Sequence, residues 1–421
     1  MKNQSVTLAF GRTGLTIRVH PEWTLLRPRH EPALPDPVGE LTRSLRAPIA
    51  SRPLREVIQP HERVALVTSD GTRPVPNRLL IPGLLEELPV PIEQVTVLIG
   101  TGTHRPSSDA ELDAMFGPEL AARVRIVNHD AFDPDRNEFV GTTASGTPVE
   151  LDTEYLAADR RIAIGFIEPH FFAGFSGGPK AVAPGLASLE TIFHLHSSRL
   201  IGDPKSTWGE LECNPVHREV RAAVSLCPPD FLVNVTLNSD KEVTGFYCGD
   251  PNEAHRLGCD AARAVAMAPV RDLFDIVVTS NSGFPLDQNL YQTVKGISAA
   301  ARIVRNSGTI LVASECSDGI PNHGNFAELM RSGESPEDVL AAVLSREPIL
   351  DQWQAQILAG LQMKAKIAVH SHLPSSVLES CKLEAATDLQ QALDDAVNAA
   401  GDGARVALLP DGPLTIPTRV G

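Results

Sequence analysis

Seven short β-branched runs, most of them bounded by Gly, Pro, Asn or Asp and spaced by helix-length stretches, constrain this chain more than any other feature. They fall at residues 64–68, 95–99, 161–167, 231–237, 275–279, 309–313 and 367–369. Strands alternating with helices build parallel sheets with right-handed crossovers, because two strands running the same way need a long connection between them. Helix starts are legible too. Ser108-Asp109-Ala110-Glu111 is a capping box that opens a helix through Met115, and Pro251 with Asn252 opens one running toward Met267. Further helices are expected at 336–344, 349–361 and 383–399, and a last strand at 405–409. A chain of 421 residues exceeds what one core comfortably supports. The expected fold is therefore α/β with two domains, each built on a mostly parallel sheet flanked by helices. The segment Ala268-Pro269-Val270-Arg271-Asp272 reads as the linker, giving an N-terminal domain 1–268 and a C-terminal domain 273–421. The tail 408–421 is a candidate to pack back on the first domain, and the Pro-rich stretch 27–37 reads as a surface connector.

A net charge of -15 without any basic stripe excludes a nucleic-acid or anionic-membrane surface. Six cysteines without a CxxC pair suggest neither a zinc knuckle nor an iron–sulfur cluster, so reduced core thiols are expected. No apolar run approaches the roughly 20 residues of a membrane helix, and the Met1 end carries no apolar leader. These features predict a cytoplasmic protein.

Chemistry-bearing residues concentrate at three strand ends of the first domain. The first is Ser69-Asp70-Gly71-Thr72-Arg73-Pro74, where a hydroxyl and a bidentate anion fork join what is otherwise ordinary turn composition. The second, Gly100-Thr101-Gly102-Thr103-His104-Arg105, sets an imidazole in a loop whose glycines permit close backbone approach to a ligand. The third is Pro169-His170-Phe171-Phe172-Ala173-Gly174-Phe175-Ser176-Gly177-Gly178-Pro179-Lys180, followed by His196. It resembles a phosphate loop in kind but lacks the Gly-Lys-Ser/Thr ending, which disfavours nucleotide hydrolysis. Lys180 is open to three uses: phosphate contact, Schiff-base amine or covalent tether. His194 and His196 lie two apart, so on a helix only one of them reaches a given site. In the second domain Tyr291 and Lys295 share a helix face at i, i+4 spacing, whereas His370 and His372 follow a strand without a glycine loop and read as structural. A dehydrogenase would need Gly-x-Gly-x-x-Gly between strand and helix, which is absent in that context, and a binding module without catalysis has no use for a pair of histidines.

Taken in order, these clusters resemble the lactate racemase family, nickel-pincer-nucleotide enzymes that racemise or epimerise 2-hydroxy acids. The resemblance is carried by Ser-Asp-x-Thr-Arg-Pro at 69–74, Gly-Thr-His-Arg at 102–105, His-x-x-x-Gly-Phe-Ser-Gly-Gly-x-Lys at 170–180, His196, and Tyr-Gln-x-x-Lys at 291–295. It implies two α/β domains with the active site in the interdomain cleft. It also implies a pyridinium-3-thioamide-5-thiocarboxylic acid mononucleotide holding nickel through a ring carbon and two sulfurs, loaded with the help of cofactor-synthesis enzymes. By the same resemblance His196 is the protein's metal ligand and Lys180 the lysine joined to the cofactor through a thioamide. His104 and His170 match the acid/base histidines. Asp70, Gly71, Thr72, Ser176, Gly177 and Gly178 are expected at the cofactor, and Arg73, Tyr291, Gln292 and Lys295 at the substrate. The implied reaction removes hydride from carbon 2 to give a planar 2-keto acid and returns it to the opposite face, with a base on each side handling the hydroxyl proton. Phe171 and Phe172 are expected to make the pocket wall apolar, favouring lactate or longer aliphatic and aromatic monocarboxylates. Malate would need a further cation, for which Arg105 is the candidate, and sugar acids are the other alternative.

Overall fold

The computed structural model describes residues 4–321 and 324–420. The chain forms two compact units, one from His30–His196 and Lys205–Val265, the other from Met1–Arg29, Ser197–Pro204 and Ala266–Gly421. In the first unit a six-stranded sheet runs in the spatial order Val243–Gly249, Phe231–Leu237, Arg160–Phe166, Val64–Ser69, Val95–Gly100, Arg125–Asn128. Every pairing is parallel except that of Phe231–Leu237 with Val243–Gly249. Burial on both faces explains the unbroken apolar runs. Leu66, Val97, Ile162, Ile164 and Val233 enter one core, while Ala163 and Leu232 meet Ala254 on the opposite side. Each fully buried Leu or Ile contributes about 2 kcal/mol against exposure.

The sheet of the second unit has the order Glu384–Ala385, Lys366–His370, Val304–Ala313, Phe274–Ser280, Val406–Leu409, Thr24–Leu25, all parallel. Its core joins Ile276, Val278, Leu311 and Leu408 to Leu389 and Leu393 of the helix Leu389–Ala400.

Three stretches read from the sequence come out differently in the structure. Met267–Val270, in the stretch read as a linker, is a strand, paired in parallel with Ile416–Arg419 of the same unit. The helix expected at 383–399 begins only at Leu389, where Asp388 accepts a hydrogen bond from the Gln391 amide, and Glu384–Ala385 has joined the sheet. The helix expected at 349–361 is shifted to Gln352–Lys364. Among the described residues no helix is long and apolar enough to cross a membrane.

Ligands of open parallel sheets bind where the strand order reverses. In the first unit the chain runs outward from Val64–Ser69 through Val95–Gly100 to Arg125–Asn128, then returns to the other side of Val64–Ser69 with Arg160–Phe166. The ends of Val64–Ser69 and Arg160–Phe166 thus frame a crevice. The corresponding point of the second unit, between Phe274–Ser280 and Val406–Leu409, is closed by its own loop. Ser280 Oγ donates to Pro410 O at 2.8 Å, and a Cβ on Gly412 would stand 2.3 Å from Ser280 O.

Candidate active site

Asp70 leaves the end of Val64–Ser69 into a buried position, and both of its oxygens are engaged. Oδ2 lies 2.7 Å from His104 Nδ1, and Oδ1 accepts from the Thr72 hydroxyl and, at 3.2 Å, from the Thr72 amide. Burial by itself would raise this carboxyl, but the hydrogen bonds and charge of His104, with Thr72, overcome it and hold Asp70 below its ordinary range. An ionised carboxylate only accepts, so His104 carries its proton on Nδ1 and its lone pair on Nε2. The His104 side chain is half exposed. Gly71 stands free of strain, since an added Cβ would meet nothing nearer than Met115 Sδ at 3.8 Å. Arg73 Nη1 forms an ion pair with Glu168, both side chains being about three-quarters covered.

Beyond Arg160–Phe166 the chain makes a tight hairpin in which Pro169–His170 pairs antiparallel with Gly174–Phe175. The turn brings the Ala173 amide to 3.3 Å from His170 Nδ1, which therefore accepts and leaves the proton of the neutral ring on Nε2. The two histidines thus hold opposite tautomers.

Gly177 and Gly178 have φ of +72° and +53°, and here the backbone requires glycine. A Cβ on Gly178 would fall 2.5 Å from the His255 ring, and one on Gly177 would fall 2.8 Å from Asn234 Oδ1. The Gly178 amide donates to Asn234 Oδ1 at 2.8 Å, and His255 Nε2 donates to Ser176 O at 3.0 Å. Ser176 Oγ donates to Phe166 O at 2.8 Å and accepts from the Glu168 amide at 2.9 Å. These three residues fasten the turn to its own unit. What the turn presents is Lys180, on the single 3₁₀ turn Gly178–Ala181.

Lys180 Nζ lies 5.5 Å from the centroid of the Phe172 ring, and its charge reaches His196. His196 ends the helix Leu189–Leu195, which Ser188 caps. His196 Nδ1 is 2.9 Å from Ile192 O and must donate to it, so the lone pair sits on Nε2. Burial, with the Lys180 charge adding to it, pulls His196 down to about 4 despite the Ile192 carbonyl, and the ring is neutral at pH 7. His194 points to solvent on the other face. Phe171 and Phe172 are 7% and 4% exposed and pack against each other and His170 as an aromatic cluster.

Four residues of this neighbourhood escaped the sequence reading. Glu168, an acid between an apolar run and the His170 motif, had a readable signal. His217, Asn234 and His255 had none, because they lie on an amphipathic helix or inside an apolar strand. Burial, together with His255, Arg221 and Lys180, pulls His217 down to about 3, and its ring stacks on that of His255 at 5.9 Å.

In the other unit, Asn289 caps the helix Leu290–Ala301 that carries Tyr291, Gln292 and Lys295. Trp353 Nε1 donates to the Tyr291 hydroxyl at 3.0 Å, and burial, with the Asp351 charge, pushes that phenol well up. Gln292 Oε1 is buried without a hydrogen-bond partner, an acceptor suited to a hydroxyl. Lys295 follows one turn on and is half-buried. His370, read as structural, lies 2.8 Å from Ala386 O through Nδ1.

A neutral His196 with its lone pair on Nε2 fits a borderline-soft metal such as nickel. Among the described residues no group of three or more His, Cys, Asp and Glu side chains is placed to hold a metal ion. The geometry fits a metal-bearing cofactor held by one imidazole.

Comparison with known proteins identifies the family. The lactate racemase N-terminal domain family matches residues 10–209, and the lactate racemase C-terminal domain family matches residues 271–416. Lactate racemase of Thermoanaerobacterium thermosaccharolyticum is 36% identical over 380 residues, covering 89% of each chain. That of Lactiplantibacillus plantarum is 35% identical over 382 residues, covering 88% of each. The solved lactate racemase apoprotein from T. thermosaccharolyticum superimposes with a TM-score of 0.93 at 33% identity, over 99% of this chain and 100% of that one. A solved Thermotoga maritima protein shares the fold, with a TM-score of 0.71 at 19% identity over 93% of this chain. These matches define an α/β isomerase of the racemase class. The chain belongs to the lactate racemase family.

Proposed function

We propose that the protein is a nickel-pincer-nucleotide-dependent racemase or epimerase of 2-hydroxy monocarboxylates. The observation that carries this reading is the gathering of Lys180 and a neutral, Nε2-directed His196 beside His170 at the sheet's switch point. His196 would ligate the nickel, and Lys180 would tether the nucleotide. When bound, that cofactor supplies the remaining nickel ligands and a ring able to take up and return hydride.

The protein's own share is binding and proton handling. Asp70 keeps the Nε2 lone pair of His104 available to take the substrate's hydroxyl proton, and His170, with its proton on Nε2, donates toward the same oxygen. Inversion requires the oxygen to be served on either face, and we assign that pair to the task. Arg73, steadied by Glu168 on one nitrogen, has its further donors for the substrate carboxylate. Tyr291, Gln292 and Lys295 are assigned to the substrate on their motif. Tyr291 would act through its ring, since its hydroxyl accepts from Trp353 Nε1 and hydrogen-bonds to Asp351 and its carbonyl accepts from Gln354 Nε2.

Two observations favour a single carboxylate. Arg105, the further cation that malate would need, is exposed and bound to both oxygens of Glu111 at 2.8 and 2.7 Å. Glu168 already offsets part of the charge of Arg73. Chiral chromatography of a panel of 2-hydroxy acids with the nickel-loaded holoprotein tests the reading. Inversion of lactate or its longer analogues over malate is expected, with intact mass showing an adduct on Lys180. Inversion of none of the panel, or undiminished inversion by H104A, rules the reading out.

A further inference from the structure

We propose that Phe172 is the positioning residue that sets the spacing between His170, Lys180 and His196. The inference rests on the roles just assigned to those three. One phenyl ring meets all of them. Its centroid lies 4.5 Å from the His170 ring at an interplanar angle of 82° and 5.3 Å from the His196 ring at 81°, with Lys180 Nζ 5.5 Å away. Both imidazoles therefore stand nearly perpendicular to the ring, the arrangement that aromatic quadrupoles favour, while the ammonium is drawn to it as a cation.

The ring has little freedom to shift. Phe171 packs against it at 4.7 Å, with Trp208 behind Phe171 at 6.0 Å. The main-chain carbonyl of Phe172 accepts from Asn214 Nδ2 at 2.9 Å, and Asn214 is fully buried and caps the helix Pro215–Val224. Phe172 is as buried as the two histidines, and its phenyl ring has no atom that can move a proton or ligate a metal. Its influence on catalysis must pass through its neighbours. It borders the amine and the metal-directed imidazole alike, so cofactor attachment and nickel ligation share one neighbour.

The test is Phe172→Leu, which keeps an apolar side chain but removes the π face, read in parallel with Phe171→Leu. Phe171 belongs to the same aromatic cluster and touches His170 at 5.0 Å. Each variant is co-produced with the cofactor-synthesis enzymes. The Lys180 adduct is counted by intact mass, nickel release into a chelator is timed, and lactate kinetics are split into kcat and KM. For F172L we expect the adduct fraction to fall by more than half, nickel release to quicken at least fivefold, and kcat to drop at least tenfold with KM within about threefold. F171L, which removes one support of that ring and leaves the ring itself, should lose clearly less adduct and nickel than F172L. Wild-type adduct and nickel retention in F172L overturn the proposal, as does an equal loss in F171L. If F172L lacks a cooperative melting transition, Phe172→Met takes its place under the same criteria. A wild-type protein without any adduct sinks the assignment of Lys180 instead, and the nickel readout still judges Phe172.

Discussion

Asp70 decides which nitrogen of His104 bears the proton, so its loss is a tautomer defect and not a binding defect. Asp70→Asn keeps the shape of the side chain but presents an amide to Nδ1, and kcat should fall about 10²-fold or more with KM little changed in steady-state racemisation. An unchanged kcat would mean that the 2.7 Å contact has no part in catalysis. Glu168→Gln keeps a hydrogen-bonding group beside Arg73 and removes the opposing charge. The KM for a 2-hydroxy monocarboxylate should drop several-fold while kcat moves less, and a raised KM would show that Glu168 serves Arg73 only by steadying it. Asp70 and His104 were each visible in the sequence as polar residues at strand ends. Their pairing was not, because it joins positions 34 residues apart across neighbouring strands. Gly177 and Gly178 were visible as a flexible turn. Their packing against Asn234 and His255 depends on side chains that no local pattern flags.

The turn that presents Lys180 is the element on which loading of the protein would depend. Gly178→Ala puts a methyl group into the His255 ring and an L-residue at positive φ, and should cost about 2–4 kcal/mol of stability in denaturant unfolding. The Lys180 adduct should shrink with it, whereas Gly71→Ala, where an added Cβ finds room, should leave stability within about 1 kcal/mol. The legible elements were those with strong local signals. The capping box at Ser108 and Glu111 opens the helix Asp109–Phe116, and the central strands came out within a few residues of their runs. Thr24–Leu25 and Glu384–Ala385 were missed because two residues carry no period, and Val243–Gly249 because two glycines and a Thr break its apolar pattern. Met267–Val270 looked like a linker because its Pro suggests one, yet an edge strand with a single partner tolerates proline.

For the molecule as a whole, buried neutral histidines set the response to acid. His217 and His255 titrate near 3 and 4 in the fold, held down chiefly by burial, but near 6.5 once unfolded. Between those values the unfolded chain binds more protons, so stability should fall as pH drops through 6.5 and keep falling to about 3. Urea midpoints measured from pH 8 to 4.5 check this, and His255→Gln should flatten the slope; a slope identical to wild type would assign the acid loss elsewhere. At this scale the two-domain α/β plan was legible, because seven strand-like runs spaced by helices leave few other arrangements. The grouping of Met1–Arg29 with Ala266–Gly421 was not, since it rests on pairings between positions almost a full chain apart. That grouping bears on how the protein is made. Thr24–Leu25 leaves the ribosome long before the strand it lies against, Val406–Leu409. The early segment must wait, unpaired and open to chaperones or misfolding, so slow translation through the middle of the message should penalise this unit more than the other.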